Sequence, residues 1–283
     1  MTTRIRSKTS EATMALEHLS YSSIALYLDC PTAWRYKYVL NQPTRGTPAL
    51  VFGTAIHGFI EAQVARQTLA GQPSQTTEWA NEVPVPTIAE AWQWQWRKAL
   101  AKESVDWGLD TPEQHYNEGL RLLTDGKIQD VIAGLRARCD DQGLQIERKI
   151  ELHVPGVGVP VIGYIDLVTP DGVPCDFKTS SHAWAADKAQ TDLQPLFYLA
   201  ALNQAGCHWH NWRFRHLIFV KTKTPQVQAL EHVHRPAEVF FLFRLLREVW
   251  TAIQHGIFPP HPMGWRCNPQ YCDFWSLCRG RHT

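Results

Sequence analysis

The sequence predicts an α/β fold in which a sheet is packed by helices, and three observations carry that expectation. Helix-like patterns fill the chain to about residue 143. Three apolar, strand-like runs follow in close succession between 144 and 178. Helix, strand and helix patterns then alternate to residue 254. Covering the apolar faces of a sheet with helices is the layered solution to that order. Composition agrees: 44% of the 283 residues are hydrophobic, and the 18 prolines and 17 glycines are dispersed rather than gathered into a linker. The length fits one large domain or two modest ones. A formal charge of +1 excludes a bulk polycation, so any nucleic-acid surface must concentrate its positive charge locally.

Taken in order, residues 1–18 are polar and expected to be flexible. Ser20 reads as the cap of a short helix ending at Cys30-Pro31, followed by the aromatic and basic stretch Trp34–Leu40. That stretch suits either a packed amphipathic helix or a strand-stacking surface. A helix over 50–64 places Gly53, His57 and Glu61 on one face. Residues 71–86 read as a loop, and 87–105 and 112–138 as two helices, the first rich in tryptophan. Strands are expected over 144–154, 159–168 and 173–178, the close spacing favouring an antiparallel meander. A loop at 179–189, a helix at 192–202, a strand at 212–221, a candidate strand at 227–233 and a helix at 238–254 follow. The expected organisation is a flexible 1–18, a helical region 19–143 contributing Cys30 and His57, a core at 144–255, and a cysteine-rich segment at 256–283, all packed as one domain. The first twenty residues lack a secretory apolar core and no stretch resembles a membrane span, so a cytoplasmic location, no membrane association and reduced cysteines are expected.

The chemistry concentrates in two adjacent strands. Asp166 follows Gly163-Tyr164-Ile165, and Asp176 and Lys178 share one side of the next strand. Both acids are flanked by apolar residues. Two carboxylates brought together there would repel unless a cation stood between them. Mg²⁺ or Mn²⁺ suits such oxygen donors, with the Phe177 carbonyl as a further oxygen and His57 as a nitrogen ligand from a facing helix. A metal held by Asp166 and Asp176 activates water and polarises a phosphate, while Lys178 orients the water or stabilises developing charge. Glu147 is either an acid of the same ridge or the partner of Arg148 or Lys149. Gln194 and Tyr198, four apart on a helix, either support the lysine or a DNA phosphate, or pack the helix on the sheet.

Four landmarks in order, Gly53-Thr54-Ala55-Ile56-His57, Gly163-Tyr164-Ile165-Asp166, Asp176-Phe177-Lys178-Thr179 and Gln194-Pro195-Leu196-Phe197-Tyr198, resemble the PD-(D/E)XK nuclease superfamily. They are most similar to its RecB-like exonuclease branch, which includes the CRISPR-associated adaptation nucleases. The resemblance implies a restriction-endonuclease-like core, a central mixed sheet flanked by helices, with a helical N-terminal region and a cysteine-rich C-terminal staple. It implies that His57, Asp166 and Asp176 bind the metal, that Lys178 is catalytic, and that Gln194 and Tyr198 support the site or the DNA.

Cys267, Cys272 and Cys278 lie within twelve residues and need a fourth ligand for a closed site, for which Cys30 is the candidate. Their spacing does not choose between zinc and iron–sulfur. The resemblance to nucleases with one N-terminal and three C-terminal cysteines implies a structural [4Fe–4S] cluster. The five-residue step from Cys267 to Cys272 departs from that family's usual shorter step. The functional expectation is a Mg²⁺- or Mn²⁺-dependent DNA exonuclease acting on single-stranded DNA or DNA ends. The alternative is a DNA-binding or assembly module of a repair, CRISPR-like or phage complex that cuts little. No phosphate-binding loop of the helicase type is present in the sequence, so unwinding would fall to a helicase or a recombination or CRISPR-type protein partner.

Overall fold

A computed structural model describes residues 16–70, 87–102 and 104–280. The expected loop at 71–86, and all but the last three residues of the expected flexible N-terminus, lie outside them. The chain divides into two compact units, one of 44–152 and 163–242, the other of 1–43, 153–162 and 243–283.

The larger unit is built on α3 (Pro48–Leu69) and α4 (Ile88–Leu100), followed by α5 (Pro112–Thr124) and α6 (Gly126–Gly134). Each start is written locally. Thr47, Thr87 and Thr111 accept main-chain N–H groups of the first turn, and Gln114 completes a capping box with Thr111. The single helix expected over 112–138 is two. At Asp125 the backbone turns extended (ψ 131°) and the carboxylate caps α6 by accepting from Lys127 and Ile128. An aspartate whose side chain bonds nearby N–H groups favours a new helix start over a continuing turn. The core joins Phe52, Ile56 and Phe59 of α3 to Trp92 and Trp96 of α4, and to Phe177 and Phe219 of the sheet. Trp92 and Trp96 are therefore packing residues. Trp92 lies so close to α5 that a Cβ at Gly119 would stand 2.1 Å from its ring.

A two-stranded hairpin, β2 (Cys139–Asp140) and β3 (Gly143–Leu144), precedes β4 (Ile146–Leu152), so the first long strand starts later than the pattern suggests. β5 (Val161–Val168) pairs with β4 and, antiparallel, with β6 (Pro174–Ser180). β6 pairs parallel with β7 (Arg213–Val220), with Asp176 opposite His216, and β7 pairs antiparallel with β8 (Gln226–Val233). The sheet is mixed and flanked by helices, the restriction-endonuclease-like α/β arrangement. A parallel neighbour requires a crossover. It is made by α7 (Ala186–Thr191), in a stretch expected to be loop, and α8 (Leu193–Gln204). The long helix α9 (Glu238–Gln254) follows.

In the smaller unit, β1 (Leu19–Ser20) pairs parallel with Val161 and Ile162, and Ser20 forms a capping box with Ser23 at the start of α1 (Tyr21–Asp29). Pro31 opens α2 (Pro31–Tyr38) at the position where a missing N–H costs least. Trp34 is fully buried, stacked on Phe258 at 5.7 Å, and Tyr36 stacks on Phe274. Of the two readings of the aromatic stretch, packing is the one seen for these rings. Tyr27 and Thr32 donate to the carbonyls of Ile257 and Phe258 at 2.6 and 2.7 Å, fastening the start of the tail to α1 and α2. A last short helix, α10 (Trp275–Arg279), ends on Gly280 in the left-handed conformation.

Candidate active site

The acidic residues come together within the larger unit. Asp166 on β5 and Asp176 on β6 are 7% and 3% exposed, burial that a carboxylate tolerates only with strong partners. Asp166 Oδ2 accepts the main-chain N–H of Phe177 at 2.6 Å. Across it, His57 on α3 places Nδ1 3.5 Å from the same oxygen and hydrogen-bonds the Phe177 main chain. Residue 177 thus holds both an acid and the histidine through its peptide groups, while its ring belongs to the core.

Lys178 Nζ lies 2.6 Å from Asp176 Oδ2 and donates to Gln194 Oε1 at 2.9 Å; Gln194 Nε2 in turn donates to Tyr198 Oη at 2.7 Å. Gln194 and Tyr198, on α8, therefore form the wall that holds the lysine. The first residue of the Gly163–Asp166 landmark serves that wall. A Cβ at Gly163 would stand 2.7 Å from the Phe197 ring and 2.9 Å from the Tyr198 ring, so any larger residue would push α8 away.

A further acid on the face of His57 joins this group. Glu61, one helical turn after His57, is 6% exposed, and one ligand atom from each of His57, Glu61 and Asp166 lies within 4.8 Å of the others. The signal was available in the four-residue spacing. Glu147 on β4 hydrogen-bonds Glu61 rather than its neighbouring bases. Lys149 pairs with Glu151 at 2.8 Å, and Arg148 donates to Gln145 and Gln142. Glu147 has φ 47°, a left-handed conformation that costs a non-glycine residue roughly 1–2 kcal/mol, and this turns its carboxyl toward Glu61.

Burial lowers His57 to about 4, with Lys178 adding to the effect and Asp176 opposing it, so the imidazole is neutral at pH 7 and offers a lone pair. Burial, then the charge of Asp176, pushes Asp166 well above the carboxylate range, against the pull of the Phe177 N–H and Lys178. Burial, Glu147 and Asp166 push Glu61 up to about 10. Burial opposes the charge on Lys178, but Asp176 outweighs it and the net direction is up. A neutral imidazole beside crowded acids, held above their ordinary range by each other, is a donor set suited to Mg²⁺ or Mn²⁺.

The four cysteines belong to the smaller unit. Cys30 links α1 to α2, Cys267 and Cys272 lie in turns, and Cys278 is on α10. Burial, then the charges of Cys30, Cys267 and Cys278, pushes the Cys272 thiol up; burial, then Cys30 and Cys267, does the same to Cys278. Among the described residues no three thiols lie within 4.8 Å of one another. Arg279 donates to Cys267 Sγ at 3.4 Å.

This fold and site define a class. The family model of the PD-(D/E)XK nuclease superfamily matches residues 18–279, and the chain belongs to that superfamily; it is a hydrolytic nuclease. Among solved structures the chain is similar to a Eubacterium rectale protein described as a "putative exonuclease". The TM-score is 0.51 and the identity 12%, over 100% of this chain and 95% of that one, a likeness of fold. A second structure, SSO0001, matches at 13% identity and TM-score 0.36 over 89% of this chain and 96% of its own, too low to bear on the fold. No curated protein matches. Among the described residues no helix is long and apolar enough to cross a membrane.

Proposed function

We propose that the chain is a divalent-metal-dependent DNA exonuclease acting on single-stranded DNA or DNA ends, in the cytoplasm and alongside a helicase or a recombination or CRISPR-type partner that opens the duplex. The observation that carries the metal-dependent reading is the pairing of a neutral His57 with Asp166 across the Phe177 peptide, one residue from the Asp176–Lys178 ion pair. His57, Asp166, Asp176 and the Phe177 carbonyl, with Glu61 beside them, would hold Mg²⁺ or Mn²⁺, which supplies a low-pKa water and neutralises phosphate charge. Lys178 then has a defined task. Its ammonium, fixed by Asp176 on one side and Gln194 on the other, stands ready to donate to a phosphate oxygen as negative charge builds there. Tyr198 holds Gln194 and so sets the direction of the Lys178 side chain. The description attached to the Eubacterium rectale structure is consistent with the exonuclease part of the reading.

The test is hydrolysis of end-labelled single- and double-stranded DNA with Mg²⁺, Mn²⁺ or EDTA. Wild type is expected to release short products from ends in the metal-containing reactions, and Lys178→Ala to lose about 10²–10³-fold in rate. DNA binding without cleavage at any metal concentration would favour an assembly module instead, and unchanged cleavage by Asp176→Asn would sink the site assignment.

The same reading gives Cys30, Cys267, Cys272 and Cys278 to a structural [4Fe–4S] cluster. Its support is that Cys272 lies near enough to Cys30, Cys267 and Cys278 to feel their charge. Anaerobic preparation should give a coloured protein containing iron and sulfide; a colourless one with stoichiometric zinc would overturn it.

A further inference from the structure

We infer that His216 is a positioning residue for the site: from β7 it steadies Asp192, the residue that starts α8, and through it the Gln194 amide that holds Lys178. The inference rests on the catalytic role proposed above for Lys178 and extends the lysine's support to a further strand.

Asp176 and His216 are paired across β6 and β7, so both side chains, and that of Lys178 two residues on, leave the same face of the sheet. Helix α8 covers that face. Its Tyr198 ring lies 5.8 Å from Phe214 of β7, and its Gln194 takes the Lys178 ammonium. Asp192 is the extended residue between α7 and α8 (ψ 124°). Its two carboxylate oxygens have different duties. Oδ1 accepts the main-chain N–H of Gln194 at 3.0 Å, the residue whose side chain grips the lysine. Oδ2 stands 3.4 Å from His216 Nε2. The cap therefore sets the first turn of α8 only as well as it is itself held.

His216 can hold it because it cannot itself move far. It is 1% exposed, sits in the ladder between β6 and β8, and its ring lies 5.2 Å from Phe214 and 5.4 Å from Trp184. Trp184 is clamped in turn by Gln228 of β8, which accepts its N–H at 2.8 Å and donates to its carbonyl at 2.7 Å. His216 Nε2 is buried and makes no hydrogen bond among the described residues, so at 3.4 Å the Asp192 carboxylate acts on it through charge rather than through a formed bond. A buried imidazole nitrogen left without a bond is costly, and a position that needed only volume would be filled more cheaply by a hydrocarbon ring. This nitrogen is turned to the acid that starts α8.

The experiment measures kcat and KM on end-labelled single-stranded DNA with Mg²⁺, and follows the side-chain nitrogen NMR signal of Lys178, assigned by its absence in Lys178→Ala. His216→Phe keeps a ring and removes the nitrogen. It should lower kcat about fivefold, the worth of one ordinary hydrogen bond, with KM unchanged, and shift the Lys178 signal. His216→Gln, which returns an N–H donor, should recover most of both. In a Gln194→Ala background His216→Phe should cost nothing further, because its route to the lysine is already cut. An unchanged kcat in His216→Phe, or the same loss without Gln194, overturns the inference. Should the phenyl variant fail to fold, Asp192→Asn keeps the cap oxygen and removes the acceptor facing His216; an unchanged rate there overturns it equally. A protein that cuts no DNA, yet whose Lys178 signal moves in His216→Phe and returns in His216→Gln, would support the positioning while sinking the nuclease mechanism. Cleavage with a Lys178 signal indifferent to His216 would do the reverse.

Discussion

The acidic site and the thiol-bearing tail are both assembled from distant stretches of chain, but they are held in different ways. Every side chain of the acidic site rises from a regular strand or helix. Most are pinned by a specific bond: Asp166 to a β6 peptide, Lys178 to Asp176 and Gln194, Gln194 to Tyr198. The tail is fastened at Ile257 and Phe258 through Trp34, Tyr27 and Thr32, and after them by His261 and Arg266 to Asp29 and by Phe274 to Tyr36. From residue 261 to 280 Phe274 alone is buried, while Met263, Trp265 and Tyr271 stand largely open to solvent. The acidic geometry is thus fixed by bonds within the polypeptide. The tail is a set of turns whose order depends on its few anchors.

Three further measurements can break or sharpen that contrast. The largest effect is expected from Trp34→Ala, which removes the fully buried anchor of the tail. A loss of about 3–5 kcal/mol in denaturant unfolding is expected, with Mn²⁺ affinity at the acidic site unchanged in the folded protein. A loss below about 1 kcal/mol would show that the tail has other anchors than those described. Next comes Gln194→Ala, which removes one of the two groups holding Lys178. A hydrogen bond to a charged group is worth roughly 1.5–3 kcal/mol, so the turnover rate should fall at least tenfold, with KM for DNA little changed and partial rescue by Gln194→Glu. An unchanged rate would mean that Asp176 alone fixes the lysine. The smallest effect concerns pH. Burial, helped by His208, lowers His210 to about 4, below the ordinary 6.5. Between those values the unfolded chain takes up the proton and the folded one does not, so stability falls as pH drops through that window. The melting temperature should decline from pH 6.5 toward 4, and His210→Gln should flatten the decline. An identical slope in the variant would remove His210 as its source.

Much of this was legible in the sequence because local rules and chemistry coincide there. Apolar, strand-like runs predicted β5 and β6, Ser20 marked the start of α1, and two acids with a lysine in apolar runs implied a cation. What was not legible depended on long-range pairing. The two-residue strand β1 exists only because Val161 and Ile162 lie beside it. The break at Asp125 falls in the polar run Thr124-Asp125-Gly126-Lys127, which also fits the polar face of one continuous helix. Glu61 was legible as an acid on the face of His57, but that spacing does not by itself tell a site residue from a solvated helix position.

Phe177 carries a consequence for how this protein can change. Its ring fills the core between His57 and Phe219, while its peptide groups hold Asp166 and His57. The tuning knob of the site is therefore molecular volume. A substitution at residue 177 leaves every polar atom in place, yet a smaller side chain lets the peptide tilt and carries an acid and a base off target together. Neighbours that compensate by filling the void could restore both at once, so variation in catalytic precision can be drawn from purely apolar exchanges, out of contact with any substrate.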